Sequence, residues 1–137
     1  MRSLQPAVRG FTLIELMVVV AIAALLLGVA LPSYNDSVRR GRRSDAADVI
    51  TGILQAQERW RGLNPSYASS LTTLNQPTTS ALGYYQLALS AATGAGYTLT
   101  ATAVTGKSQA QDSGCTTLTV TVAGGSPTYT PAGCWSR

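Results

Sequence analysis

The stretch RGFTLIELMVVVAIAALLLGVALPSY, residues 9–34, constrains this chain more than any other: after Glu15 no charged side chain occurs until Asp36. An apolar run of about 20 residues is the length of a helix that spans a bilayer. Glu15 stands near the start of that run, and nothing close by in the apolar part neutralises it. A charged group well inside hydrocarbon costs roughly 2.5–3.5 kcal/mol on insertion scales, so such a residue is a functional candidate by default.

Arg2 and Arg9 precede the run, which gives the N-terminus the outline of a secretory signal. The run nevertheless continues to Pro32 without a small-residue cleavage site at its end, so the segment is expected to stay on the protein. What remains, about 100 residues, is enough for one small domain. The chain has a net charge of +4 with 12% charged residues. This is far below the loading of a dedicated nucleic-acid binder. It has no histidine, and beyond the apolar run its acids are Asp36, Asp45, Asp48, Glu58 and Asp112. That is thin material for acid–base or metal chemistry, so no enzyme activity, metal or cofactor is expected.

The two cysteines, Cys115 and Cys134, have no histidine to complete a zinc site and are too far apart for a C-x-x-C redox motif. A disulfide fits them best, with two buried reduced thiols as the alternative. A disulfide argues that this part of the chain is exported.

The N-terminal residues carry a specific resemblance. Gly10, Phe11, the apolar TLI and Glu15 resemble the class III leader and first helix of type IV pilins and of the related pseudopilins. The resemblance implies a leader at 1–10, a transmembrane and assembly helix at 11–34, and a periplasmic globular domain at 35–137. It implies cleavage by a prepilin peptidase between Gly10 and Phe11 and N-methylation of Phe11. It also implies insertion in the bacterial inner membrane, then passage through an inner-membrane assembly platform into an extracellular filament of pilin subunits. Glu15 would accept the N-terminal amine of an incoming subunit and so set the stagger between neighbours, a register role for a buried charge. For a lone glutamate, the alternative is snorkelling to the headgroups.

Pro32 has no N–H to give the carbonyl of Gly28, and Gly28 is a poor helix former, so this turn is a weak point where a kink is expected. In pilins the matching stretch is thought to unravel on assembly. Beyond it, Ala46, Val49, Ile50, Ile53 and Trp60 recur at helical spacing while Arg42, Asp45, Asp48 and Glu58 fall elsewhere. One helix of roughly 50 residues is expected, ended by Gly62, Asn64 and Pro65.

Residues 63–82 read as a loop, pinned by Tyr67, Leu71 and Leu74. Alternating runs at 84–90, 97–104 and 115–122 read as strands with one buried face, and Pro127 confines a fourth at 126–130 to an edge. The short linkers between them favour hairpins. The expected class is α+β, with the type IV pilin arrangement of a long helix on a four-stranded antiparallel sheet. QERWRGLNPSY, GYTLTATAV, GCTTLTVTV and the final AGCW are similar to accessory pilins of the PilE-like group. That similarity implies a C-terminal loop closed by Cys115 and Cys134, which favours a pilus over a type II secretion pseudopilus.

Arg39, Arg40, Arg42 and Arg43 form a basic cluster just past the apolar run, on the side assigned to the periplasm and against the positive-inside tendency. They read as a solvated helix face partly balanced by Asp36 and Asp45, or as a contact for acidic neighbours or DNA. Without interleaved aromatics they are a weak nucleic-acid signal. The resulting expectation is a structural subunit of a type IV pilus, of the minor kind, serving filament assembly, adhesion and twitching motility. The alternatives are a type II secretion pseudopilin and a DNA-binding pilin of natural transformation. Asp112 alone does not make the calcium-binding loop that the pseudopilin reading would favour.

Overall fold

A computed structural model describes residues 10–135. The expected leader with Arg2 and Arg9 therefore lies outside the described residues, apart from Gly10. The chain divides into two compact units, one ending at Asp36 and the other beginning at Ser37.

Helix α1 runs from Leu13 to Arg61, 49 residues. In the first unit it starts with a reciprocal cap that its sequence encodes as T-x-x-E. The Thr12 hydroxyl accepts from the Glu15 amide at 3.3 Å, and the Glu15 carboxylate accepts from the Thr12 amide at 3.4 Å. The helix continues through Gly28 and Pro32 without interruption. The apolar side chains of this unit are exposed, Phe11 by 79% and Val29 by 78%. Their burial must come from lipid or from another chain.

The second unit packs the C-terminal half of α1 against a sheet. Ala46, Ile50 and Ile53 are buried at spacings of four and three, as the helical period requires. Trp60 is only half-buried, and Gln57 takes the core position one turn earlier. Its amide is satisfied in both directions by the backbone of Ala68, donating to the carbonyl and accepting from the N–H, each at 2.9 Å. This pair holds the loop after the helix, where Tyr67 and Leu71 are buried and Leu74 half-buried. The helix ends at Arg61, just before Gly62.

The sheet has the order β1-β2-β3-β4 and is antiparallel throughout: β1 Tyr85–Ser90, β2 Gly96–Ala103, β3 Thr117–Ala123 and β4 Ser126–Thr130. Its register pairs Leu89 with Leu99, Leu99 with Val120, and Ala101 with Leu118. One face therefore carries Leu87, Tyr97, Leu99, Ala101, Leu118, Val120 and Val122 into a single core with Ile50 and Ile53. Alternate residues, Thr98, Thr100, Thr117 and Thr121, face the other way. β4 is exposed along its whole length, as its proline and edge place suggest. The β2–β3 connection is more than a hairpin linker: it forms a 3₁₀ turn at Ser108–Gln111 and buries Gln109 and Asp112. Third strand pairing therefore starts at Thr117 rather than at Cys115.

Candidate functional sites in the N-terminal segment and the arginine cluster

The N-terminal candidates are presented by the start of α1. Gly10 and Phe11 precede the helix and are exposed, and the Glu15 carboxylate also lies within 3.4 Å of the Thr12 hydroxyl. Glu15 thus has a local partner in the isolated chain. As the acidic residue of the first turn, Glu15 also lies at the positive end of the helix dipole. The sequence reading did not use this cap, although Thr12 three residues before Glu15 is its signature. Gly28 and Pro32 sit inside the helix, where a Cβ at position 28 would meet nothing within 4 Å. Among the described residues α1 is the one helix long and apolar enough to cross a membrane. Its most apolar 18-residue window has mean hydropathy 2.8 and none of it is buried within the chain.

The four arginines, adjacent in sequence, meet different surroundings because successive helical residues are rotated by about 100°. Arg43 turns inward. Its Nε lies 3.0 Å from Asp112 Oδ2, with side-chain exposures of only 16% and 7%, in a charge contact rather than an aligned hydrogen bond. Its Nη1 also donates to Cys115 Sγ at 3.3 Å. From Asp112 a buried network runs on. Gln109 Nε2 donates to the Asp112 carboxylate at 2.7 Å and to the Tyr85 hydroxyl at 2.9 Å, and that hydroxyl donates to the carbonyl of Cys115 at 3.0 Å. Burial pushes the Tyr85 phenol above its ordinary value; Gln109 opposes this, Asp112 adds to it and Arg43 opposes it. Cys115 is bonded to Cys134 across a separation of 19 residues. Arg43 therefore ties the helix to the β2–β3 connection and to the disulfide.

Arg42 turns the other way. Its Nη1 donates to Ser108 Oγ at 2.6 Å, and its guanidinium lies 4.0 Å from the centre of the Tyr84 ring. Lys107 approaches the same ring at 5.4 Å and donates to the Gly83 carbonyl at 2.6 Å. A second cation and an aromatic are thus brought to Arg42 from elsewhere in the chain, the interleaving that the linear cluster lacks. Arg40 is exposed and Arg39 half-buried, and Arg39 and Asp36 are each engaged. The Asp45 carboxylate instead accepts from the backbone N–H of Leu82 at 3.1 Å. The acid that balances Arg43 is Asp112, 69 positions further on. No spacing rule connects residues so far apart, so Asp112, Gln109, Tyr84 and Lys107 were not legible as partners.

Comparison with known proteins agrees with this architecture. Residues 6–31 match the family of the prokaryotic N-terminal methylation motif. Residues 32–119, more than half of the chain, match the family described as "Type IV minor pilin ComP, DNA uptake sequence receptor". Similar relatives include type IV major fimbrial protein FimA of Dichelobacter nodosus, 45% identical over 53 residues, and the same protein of Dichelobacter nodosus strain VCS1703A, 47% identical over 53 residues. In each case the shared stretch covers 39% of this chain and 31% of the relative, so the chain spans about a third of the length of the curated relatives it matches. A methylation-type N-terminus, a spine helix whose first part is left bare, and a disulfide-closed four-stranded sheet under a match of this extent place the chain in the type IV minor pilin family of the ComP kind.

Proposed function

We propose that the chain is a minor subunit of a type IV pilus, made as a prepilin and held in the bacterial inner membrane by residues 11–34 with residues 35–137 in the periplasm. Prepilin peptidase cuts between Gly10 and Phe11 and methylates Phe11. The mature chain then passes through an inner-membrane assembly platform into a filament with other pilins. Its part there is structural, not enzymatic, and supports filament assembly, adhesion and twitching motility. The observation that carries this reading is the bare first part of α1: an apolar surface with no cover of its own requires lipid first and neighbouring helices afterwards.

Glu15 is the register residue. In the single chain it caps its own helix through Thr12, and in the filament it meets the Phe11 amine of the next subunit, exchanging a neutral partner for a cation. Gly28 and Pro32 are the turn that yields. Glu15→Ala should still insert into the membrane but be depleted from sheared pili, measured by quantitative mass spectrometry. Wild-type incorporation would refute the register role. A bulky residue at Gly10 should leave the protein unprocessed, and a normal N-terminal peptide mass in that variant would refute the processing.

A second reading, DNA capture during natural transformation, is favoured by the Arg42–Tyr84–Lys107 cluster and by the description of the matching family. Full-length protein in detergent should bind duplex DNA with an affinity that falls steeply with salt, and Arg42→Gln with Lys107→Gln should reduce the salt slope by about one unit per lost phosphate contact. Unchanged binding in the double variant would remove this cluster from the interface.

A further inference from the structure

Between α1 and the disulfide-closed C-terminal segment lies a cavity of about 340 Å³, lined chiefly by Arg40, Arg43, Ser44, Ala47, Cys134 and Trp135. Besides Arg43, three of the lining side chains are hydrogen-bond donors. Arg40 and Ser44 make no hydrogen bond or ion pair with any described residue, and the buried indole Nε1 of Trp135 has no acceptor. Trp135 itself is held in place by edge-on contact with Tyr129, ring centres 5.0 Å apart. Of these donors the indole N–H is buried and therefore costly to leave unsatisfied, and with an exposed guanidinium and hydroxyl beside it the cavity suits an acceptor-rich ligand.

The charge of the cavity narrows the class. Arg43 is already matched by Asp112, and among the described residues no acid pairs with Arg40, which leaves the lining one positive charge. A phosphodiester carries one negative charge and several acceptor oxygens, whereas a phosphomonoester carries close to two charges. Ala47 and Cys134 add apolar atoms to the lining, which suits a ligand with carbon on either side of its phosphate. Arg40 follows Tyr34, the end of the apolar run, by only six positions. Basic and tryptophan side chains beside a membrane span are placed to meet headgroups.

We infer that this cavity binds the phosphodiester of an anionic phospholipid while the subunit waits in the membrane. The inference rests on the membrane-anchored reading above. It gives Arg40, on the far side of the span, a reason to be there despite the positive-inside tendency: it meets a headgroup, and release from lipid accompanies entry into the filament.

The test uses the full-length chain in lipid nanodiscs of phosphatidylcholine alone and in discs in which about a third of the lipid is phosphatidylglycerol. The readout is the Trp135 indole N–H resonance, assigned with Trp60→Phe. Phosphatidylglycerol should move this resonance, and Arg40→Gln should weaken the response about fivefold, the ~1 kcal/mol that one arginine contributes near an anionic surface. Arg59→Gln, which removes the same charge elsewhere, should leave it unchanged. An equal response in Arg40→Gln, or an equal loss in Arg59→Gln, would overturn the inference. So would a response to inorganic phosphate or to a short DNA duplex added to phosphatidylcholine discs in place of a response to phosphatidylglycerol. Failure of the chain to co-elute with any disc would overturn the anchoring itself, and is scored separately before the resonance is read.

Discussion

Replacing Arg43 by methionine keeps most of the side chain's volume and removes its charge, leaving the Asp112 carboxylate, 7% exposed, without its cation. Breaking a buried pair by removing one partner costs about 3–5 kcal/mol. Here the value belongs near the lower end, ~3 kcal/mol, because Gln109 still donates to Asp112 at 2.7 Å. For a small domain with roughly 5–15 kcal/mol of total stability this is a large share. The assay is chemical denaturation of the full-length chain in micelles, followed by tryptophan fluorescence, with Arg43→Met, Asp112→Asn and the double variant compared at one denaturant slope. The double variant should recover at least half of the loss, since it leaves no lone charge in the interior. A cost below about 1 kcal/mol for Arg43→Met would mean that solvent serves Asp112 as at a surface pair, and the structural assignment of Arg43 would fall. A double variant as unstable as the sum of the singles would refute the pairing itself.

Three further outcomes follow from the same core. Cys115→Ser should destabilise the second unit by about 3 kcal/mol in the chain-entropy account, given the 19-residue separation of the bridge, and a denaturation midpoint equal to that of the oxidised protein would refute it. A Cβ at Gly96 would collide with the backbone carbonyl of Val122 across the β2–β3 pair, so Gly96→Ala should cost at least the ~1–3 kcal/mol of an overpacked site; wild-type thermal stability would show that the strands separate freely there. Tyr67, Tyr85 and Tyr97 are all held neutral above the ordinary phenol range, in each case chiefly by burial, with Glu58 adding to the effect at Tyr67 and Tyr97. The unfolded chain therefore loses these protons at a lower pH than the folded one. Stability should be intact below about pH 10 and decline as pH rises above it. Absorbance titration should show these phenols ionising together with unfolding. Reversible ionisation of all six tyrosines near the ordinary value, with secondary structure retained, would refute this.

Local patterns carried the expectations that held. The period of Ala46, Ile50 and Ile53, the alternation of the three strands, Pro127 at the edge and the Gly62 stop each depend on neighbours a few residues apart, and each feature occurs within a residue or two of its expected place. Glu15 stands out from sequence alone, because a charge among hydrocarbon side chains is costly wherever the chain folds, and its role remains with the proposal above. The helical cap at Thr12 is written in the same local way, as T-x-x-E.

Tertiary structure alone decided how the four arginines differ. In sequence they are one cluster, but the twist of the helix turns Arg43 to Asp112, Arg42 to Tyr84, and Arg40 to the cavity by Trp135. The partners come from positions 69, 42 and 95 residues away, brought there by the hairpins and the disulfide. Sequence by itself determined the spine helix, the sheet and the need for an apolar environment, since these follow from backbone periodicity and the cost of exposing hydrocarbon to water. Which charges are spent inside the domain and which remain for a partner depended on contacts across long loops, and such contacts have no period for a linear pattern to reveal.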